Sequence, residues 1–324
     1  MIKQLNSKMR RAWGYLKLML PSLGAIIVLF VIGNMIAVGF ISINNISSIL
    51  MTAALLSIAT IAQNTVVIGG GNGIDLSIGA VASCTALICP LLPMDTGWQL
   101  LLAVCAALAI GAVFGSLNGL LISTTKLSPL IVTLIMSSVV SGIVMVLTRG
   151  QPSARISELL KSISGMVVPP FRMLTLIVIG IVIVAELLLR RTRAGRGLKL
   201  AGDNPNAARI SGLQVRKIIF SSYVISGALA GLLGLLIVGY AGSTTLNMAE
   251  SYTLLSLAAI TIGGTNLSGG NGSFVAGALG AVVLIQLTSI LQALNMDQGM
   301  RQVVQGGLLL VIMMINVRAQ SQKA

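Results

Sequence analysis

Residues 174–189 read LTLIVIGIVIVAELLL. Apolar side chains occupy consecutive positions, with Glu186 the sole charge. A lipid-facing barrel strand would alternate apolar and polar residues, with a period of two. This run does not. A backbone placed in lipid must satisfy its own hydrogen bonds, and an uninterrupted apolar run does so only as a helix. The rest of the chain repeats the pattern. Between Lys17 and Lys126 the only charges are Asp75 and Asp95, and between Lys217 and Arg301 only Glu250 and Asp297. A spanning helix needs about 20 apolar residues, so each stretch holds several crossings. Of 324 residues, 56% are hydrophobic and 9% charged, with mean hydropathy +0.99. Soluble domains carry about 25% charged residues, and no soluble fold covers its surface with so few. Disorder is excluded by the same apolarity. No cleavage pattern followed by a polar mature chain suggests a secreted protein.

The expectation is therefore an all-α, polytopic integral membrane protein, read as one permease-sized domain over residues 1–324. It has about ten transmembrane helices, at about 21–40, 50–69, 76–91, 99–123, 130–147, 170–189, 218–240, 252–263, 273–294 and 303–317. Residues 41–49 read as a connection, 157–163 as a short surface helix, and Pro169–Pro170 as the lead into the sixth span. Residues 190–217 form the largest hydrophilic segment. Basic residues in loops mark the cytoplasmic side. Lys3, Lys8, Arg10, Arg11, Lys17, Lys126, the 190–217 segment, Arg318 and Lys323 all fall on one side of a ten-helix arrangement. The expectation is an inner-membrane protein with both termini cytoplasmic. Arg149, Arg155, Lys161 and Arg172 run against this bias. Residues 190–217 carry net +7, half of the chain's +14, so topology accounts for the positive charge and no nucleic-acid partner is expected. Three cysteines, no histidine and no paired Cys spacing argue against a metal site. No cofactor is expected.

Two stretches resemble each other. Residues 55–73 align without gaps to 254–272, with nine of 19 positions identical and a shared GGNG ending. Duplication and convergent composition both produce such a match. The first stretch runs into GGGNGIDLSIG at 69–79, a glycine run that lacks the Lys-Ser/Thr ending of an ATP-binding loop. Asp75 follows the run. It is either an interfacial first-turn acid for the next helix or a contact on a transport path. Gln63, Asn64, Asn72, Asn118, Asn266 and Asn271 join it as path candidates, with interhelical hydrogen bonding as the simpler role. Gly111 and Gly115 form one G-x-x-x-G spacing, and Gly227 and Gly231 another. Close packing within the chain and contact between subunits both fit.

Within 190–217, Asn204 is placed to cap a helix with Pro205 at its first position, and Gly212 to end it. Ala207, Ala208 and Ile210 supply a short apolar face. A helix this short is not stable alone. It lies against either the membrane surface or a cytosolic partner.

GNGIDLSIG at 71–79, AGDNPNAARISGL at 201–213 and IGGTNLSGGNGS at 262–273 occur in an order that resembles the membrane permeases of ribose/galactose/xylose/arabinose-type ABC importers. The inserted Asn72 departs from the plain glycine run of many relatives. The resemblance implies a type II importer permease that carries no chemistry of its own. It implies pairing with a second permease, identical or paralogous, around a central path. Two cytosolic ABC ATPase subunits, or one fused pair, would drive it, and a periplasmic or lipid-anchored sugar-binding protein would deliver a monosaccharide. Ala201, Gly202, Asn204, Pro205, Ala207, Ala208, Arg209, Ser211 and Gly212 would then belong to the loop that couples to the ATPase. Other small solutes (a furanone signal, a nucleoside, an amino acid) remain open, as does an ion-coupled transporter using Asp75, Glu186 or Glu250.

Overall fold

The computed structural model describes residues 2–70, 73–125, 127–151 and 156–321. Asn72 and Gly71 lie outside the described residues. Among the described residues thirteen α-helices run in chain order: α1 (Ile2–Ile36), α2 (Ile43–Ile68), α3 (Ile78–Ile88), α4 (Gly97–Thr124), α5 (Pro129–Thr148), α6 (Glu158–Ser162), α7 (Met173–Arg191), α8 (Arg193–Asp203), α9 (Pro205–Ile210), α10 (Val215–Ala241), α11 (Glu250–Ile262), α12 (Phe274–Ala293) and α13 (Gln298–Ser321). Seven of them, among the described residues, are long and apolar enough to cross a membrane: α1 from Met19, α2, α4, α5, α7, α10 and α12. The chain is an all-helical, multi-pass membrane protein. α3 and α11 are apolar but short. The 13 residues of α11 rise only about 20 Å, less than the ~30 Å hydrocarbon core.

α2, α10 and α12 are mostly buried, whereas α1, α4 and α5 turn most of their apolar surface outward. In lipid, apolar surface alone does not drive helices together, so close backbone approach and dispersion do that work. The α4–α10 pair shows it. A Cβ on Gly111 or on Gly227 would strike the other residue's carbonyl oxygen, and one on Gly231 would strike the carbonyl of Ala107. Both G-x-x-x-G motifs are thus consumed against each other inside one chain, and the subunit-contact reading is corrected.

Four local expectations change. α1 runs through Pro21 and stops at Ile36. α2 begins at Ile43, inside the expected connection, because Ser42 accepts a hydrogen bond from the Asn45 amide at 3.4 Å and caps it. Pro169–Pro170 form the turn of a small antiparallel hairpin, β1 (Met166–Val168) with β2 (Phe171–Arg172), and α7 starts only at Met173. Proline, lacking an N–H, suits such a turn. α13 starts at Gln298 and is longer than the expected 303–317.

Candidate coupling site and buried polar network

α9 is built as its sequence suggests. The Asn204 side chain accepts from the Asn206 and Ala207 amides at 3.1 and 2.9 Å, and Pro205 occupies the first turn. At its end Gly212 takes φ +82°, a conformation that costs glycine nothing. The apolar face divides. Ala208 turns inward and packs with Ala201 and Val215. Ile210 points out and is 89% exposed. Arg209 and Ser211 flank it, also exposed, while Ala207 is half-buried. Ile210 is therefore the one large apolar side chain that α9 presents outward, and Ala208 belongs to the interior. The sequence named both as one face; only the rotation of the helix separates them. α8, which leads into α9, was not anticipated. Its signal was Thr192, whose hydroxyl accepts from the Gly195 amide at 3.0 Å.

Where α8 ends, three backbone segments meet. A Cβ on Gly202 would overlap the Ile68 carbonyl oxygen and lie 2.5 Å from the Gly270 nitrogen. One on Gly269 would lie 2.9 Å from both the Gly202 oxygen and the Gly70 Cα. The Gly270 amide donates to the Ile68 carbonyl at 3.1 Å, tying the α11–α12 connection to the end of α2. Gly70 (φ +82°) abuts the Gly202 Cα. The end of α8 thus touches both glycine-rich stretches at once. Asn266 and Asn271 belong to this connection. The Asn266 amide donates to the Asn271 carbonyl at 3.0 Å, and the Asn266 side chain accepts from the Ser268 amide at 3.1 Å. The secondary structure of the two aligned stretches parts company, since α2 continues to Ile68 whereas α11 stops at Ile262, the position aligned with Gln63.

α12 is held from two sides at its start. Glu186 of α7 accepts from the Phe274 and Val275 amides at 2.6 and 3.2 Å and pairs with Arg190. A carboxylate there satisfies free N–H groups and complements the helix dipole. The Asn64 amide donates to the Ser273 carbonyl at 3.0 Å.

Asp75 is not a first-turn acid: α3 begins at Ile78 behind Ser77, and Asp75 lies in the segment before it, interior, with 1% exposure. One carboxylate oxygen accepts from the Ser77 amide (3.0 Å) and hydroxyl (2.6 Å), and the other from the Ser226 hydroxyl of α10 (2.8 Å). Asn118 of α4 donates to the Ser77 hydroxyl at 2.9 Å. The Gln63 side chain of α2 spans the Asp75 backbone, donating to its carbonyl at 2.9 Å and accepting from its N–H at 3.3 Å. On α5, the Thr133 hydroxyl accepts from the Leu76 amide at 3.0 Å. Four helices, α2, α4, α5 and α10, thus converge on residues 75–77 ahead of α3. Gln63, Asn64, Asp75 and Asn118 are all buried, and none lines either of the two clefts described below.

One cleft, of 730 Å³, has a lining of mixed polarity and lies between the α10–α11 connection, α11, α12 and α13. Asn247, Glu250 and Ser251 face Gln298, Gln302 and Gln305 there. The three glutamines recur at four- and three-residue spacing, one face of α13. The other cleft, apolar, lies between α7 and α10.

A family model described as branched-chain amino acid transport system / permease component matches residues 17–313. The chain belongs to this permease family. It is similar to the ribose import permease protein of Escherichia coli strain K12, at 30% identity over 92% of this chain and 94% of that one. Similarity to the ribose import permease protein of Bacillus subtilis strain 168 is 31%, over 97% and 98%. With a fructose import permease protein of Rhizobium meliloti it is 29%, over 82% of this chain and 75% of that one. No solved structure matches it significantly.

Proposed function

We propose that this chain is the membrane permease of an ATP-driven ABC importer for a monosaccharide, a pentose or hexose. The carrying observation is α9: a capped helix with exposed Ile210 at its tip and a glycine junction behind it. The names of the ribose and fructose relatives support the sugar class. In this reading a second permease, identical or paralogous, completes the path. Two cytosolic ATPase subunits or one fused pair receive α9, and an extracytoplasmic binding protein delivers the sugar. Both termini are cytoplasmic and the chain crosses ten times, with α3 and α11 as short crossings. The repeated glycine stretches serve as paired breaks on either side of the coupling segment. ATP hydrolysis belongs to the partner. Closure of the ATPases would pull α9, and the junction at Gly70, Gly202 and Gly269 would pass that displacement to α2 and α12. An ion-coupled mechanism is less favoured, since Asp75 and Glu186 already have hydrogen-bond and ion-pair partners.

The test is co-purification of the membrane complex. Replacing Ile210 with Asp together with Arg209→Glu is expected to lower ATPase retention by about tenfold or more, as for loss of a central interface anchor. Membrane insertion should be unchanged. ATPase retained at wild-type level would refute the assignment of α9. Ala208 is unsuitable for this test because its enlargement would disturb the permease interior.

The cleft at Glu250 and the three glutamines is our proposed extracytoplasmic entry for the sugar, whose hydroxyls need such donors and acceptors. Gln302→Leu with Gln305→Leu should reduce uptake roughly tenfold, in line with two lost hydrogen bonds, while ATPase retention stays normal. Unaltered uptake of every pentose and hexose tried would place the route elsewhere.

A further inference from the structure

The second cleft is a groove of 1150 Å³ between α7 and α10. It exceeds the ~300–1,000 Å³ of a usual small-molecule pocket. Ile177, Val184, Ile225 and, at the start of α12, Phe274 line the groove. Gly180 has no neighbour within 4 Å of a built Cβ, which leaves the groove open along α7. Charge is confined to one end. Arg193 and Lys217 form a rim there, both exposed, and no acid lines the groove. Among the described residues neither cation has an ion pair. From Lys217 to Leu229 the groove follows 12 residues of α10, about 18 Å at helical rise, close to the ~15 Å depth of one leaflet's hydrocarbon.

We propose that this groove binds an anionic phospholipid of the cytoplasmic leaflet, with acyl chains along α7 and α10 and its phosphate at Arg193 and Lys217. Apolar depth and a cationic end match the two parts of such a lipid, and basic pockets between helices at this membrane face recognise anionic headgroups. A sugar or peptide would not suit walls this apolar. The consequence is regulatory. Gly195, Gly197 and Leu198 of α8 also line the groove, so the lipid props the segment that carries α9 against α7 and the α12 start. The proposal rests on the reading that this end of the bundle is cytoplasmic.

The full chain, released from membranes of equal phosphatidylglycerol and phosphatidylethanolamine, is examined by native mass spectrometry for bound lipid. Two cations near an anionic headgroup predict about tenfold preference for phosphatidylglycerol. Arg193→Ala with Lys217→Ala should abolish that preference. Ile225→Trp, which fills the groove and keeps the rim, should lower bound lipid of both kinds. Arg149→Ala with Lys161→Ala, away from the groove, should change nothing. Equal retention of both lipids by the wild type, or preference surviving in the rim variant, overturns the proposal. So does its loss in the Arg149 and Lys161 variant, which would mark nonspecific adsorption. Orientation is tested separately by a cysteine at Gln214. Labelling it from the outside with an impermeant thiol reagent would overturn the cytoplasmic placement while leaving the lipid preference to stand or fall alone.

Discussion

Gly202→Ala is expected to lower uptake by about tenfold or more, because overpacking of about 1–3 kcal/mol falls on a junction made only of backbone. The new methyl would meet the Ile68 carbonyl and the Gly270 nitrogen. Those two atoms are hydrogen-bonded to each other at 3.1 Å. No side-chain rotamer can relieve the clash. Either that bond breaks or α8 moves away from α2, taking α9 with it. The first parts the two glycine-rich stretches from each other, and the second parts α8 and α9 from both. Uptake in vesicles, normalised to the amount of inserted chain, measures the effect, and ATPase co-purification locates it. The expected signature is retained ATPase with transport lost. Gly70→Ala strikes the same spot from the other side, since its Cβ would abut the Gly202 Cα and its φ is +82°. Combining the two should cost less than their sum, as for residues sharing one contact. Gly142→Ala is the control, with no atom within 4 Å of the added carbon. Normal uptake by Gly202→Ala would mean that motion does not pass through this junction.

Asp75→Ala is expected to destabilise the folded chain by about 3 kcal/mol or more, since hydrogen bonds to a charged group contribute about 1.5–3 kcal/mol each and their loss strands buried donors. The carboxylate organises the Ser77 amide and hydroxyl and the Ser226 hydroxyl, at 2.6–3.0 Å. Through Ser77 it also holds Asn118. Removing it leaves three donors in the interior and loosens α3 from α10. Ser226→Ala should cost less, because it removes one donor and leaves the Asp75–Ser77 turn intact. Asp75→Asn should fall between, as one amide oxygen still accepts while the NH₂ faces a hydroxyl. Thermal unfolding of purified protein in detergent measures all three. An Asp75→Ala midpoint equal to wild type would remove the structural role and return Asp75 to the path candidates.

Much of this protein is legible one-dimensionally. The 174–189 run states its helix and its membrane setting, because lipid leaves a backbone no external hydrogen-bond partner. The Asn204-Pro205 start of α9 and its Gly212 stop are equally readable, since capping is local chemistry between residues two or three apart. The glycines at 69–73 and 269–272 announced unusual backbone, and both stretches share a GGNG ending. Where Ser42 caps α2 or Thr192 caps α8, the signal was present but competed with polar neighbours that read as loop.

What the sequence could not supply is adjacency and rotation. Gly202 meets Ile68 and Gly270 across 134 and 68 residues, and nothing local encodes that contact. Asp75 was legible as an acid near a helix start, but its place ahead of α3 and its burial among Ser226, Asn118 and Gln63 come from α10, α4 and α2 arriving around it. Ile210 and Ala208, two positions apart, sit on opposite faces because a helix turns about 100° per residue. The amino-acid sequence by itself determined a membrane-embedded helical chain with glycine breaks and one basic, capped loop, all consequences of solvation and short-range hydrogen bonding. Only the tertiary structure decided that the breaks and the loop touch, that the polar side chains brace the bundle interior, and that Ile210 points outward, because each depends on which distant backbones approach closely enough to exclude a Cβ.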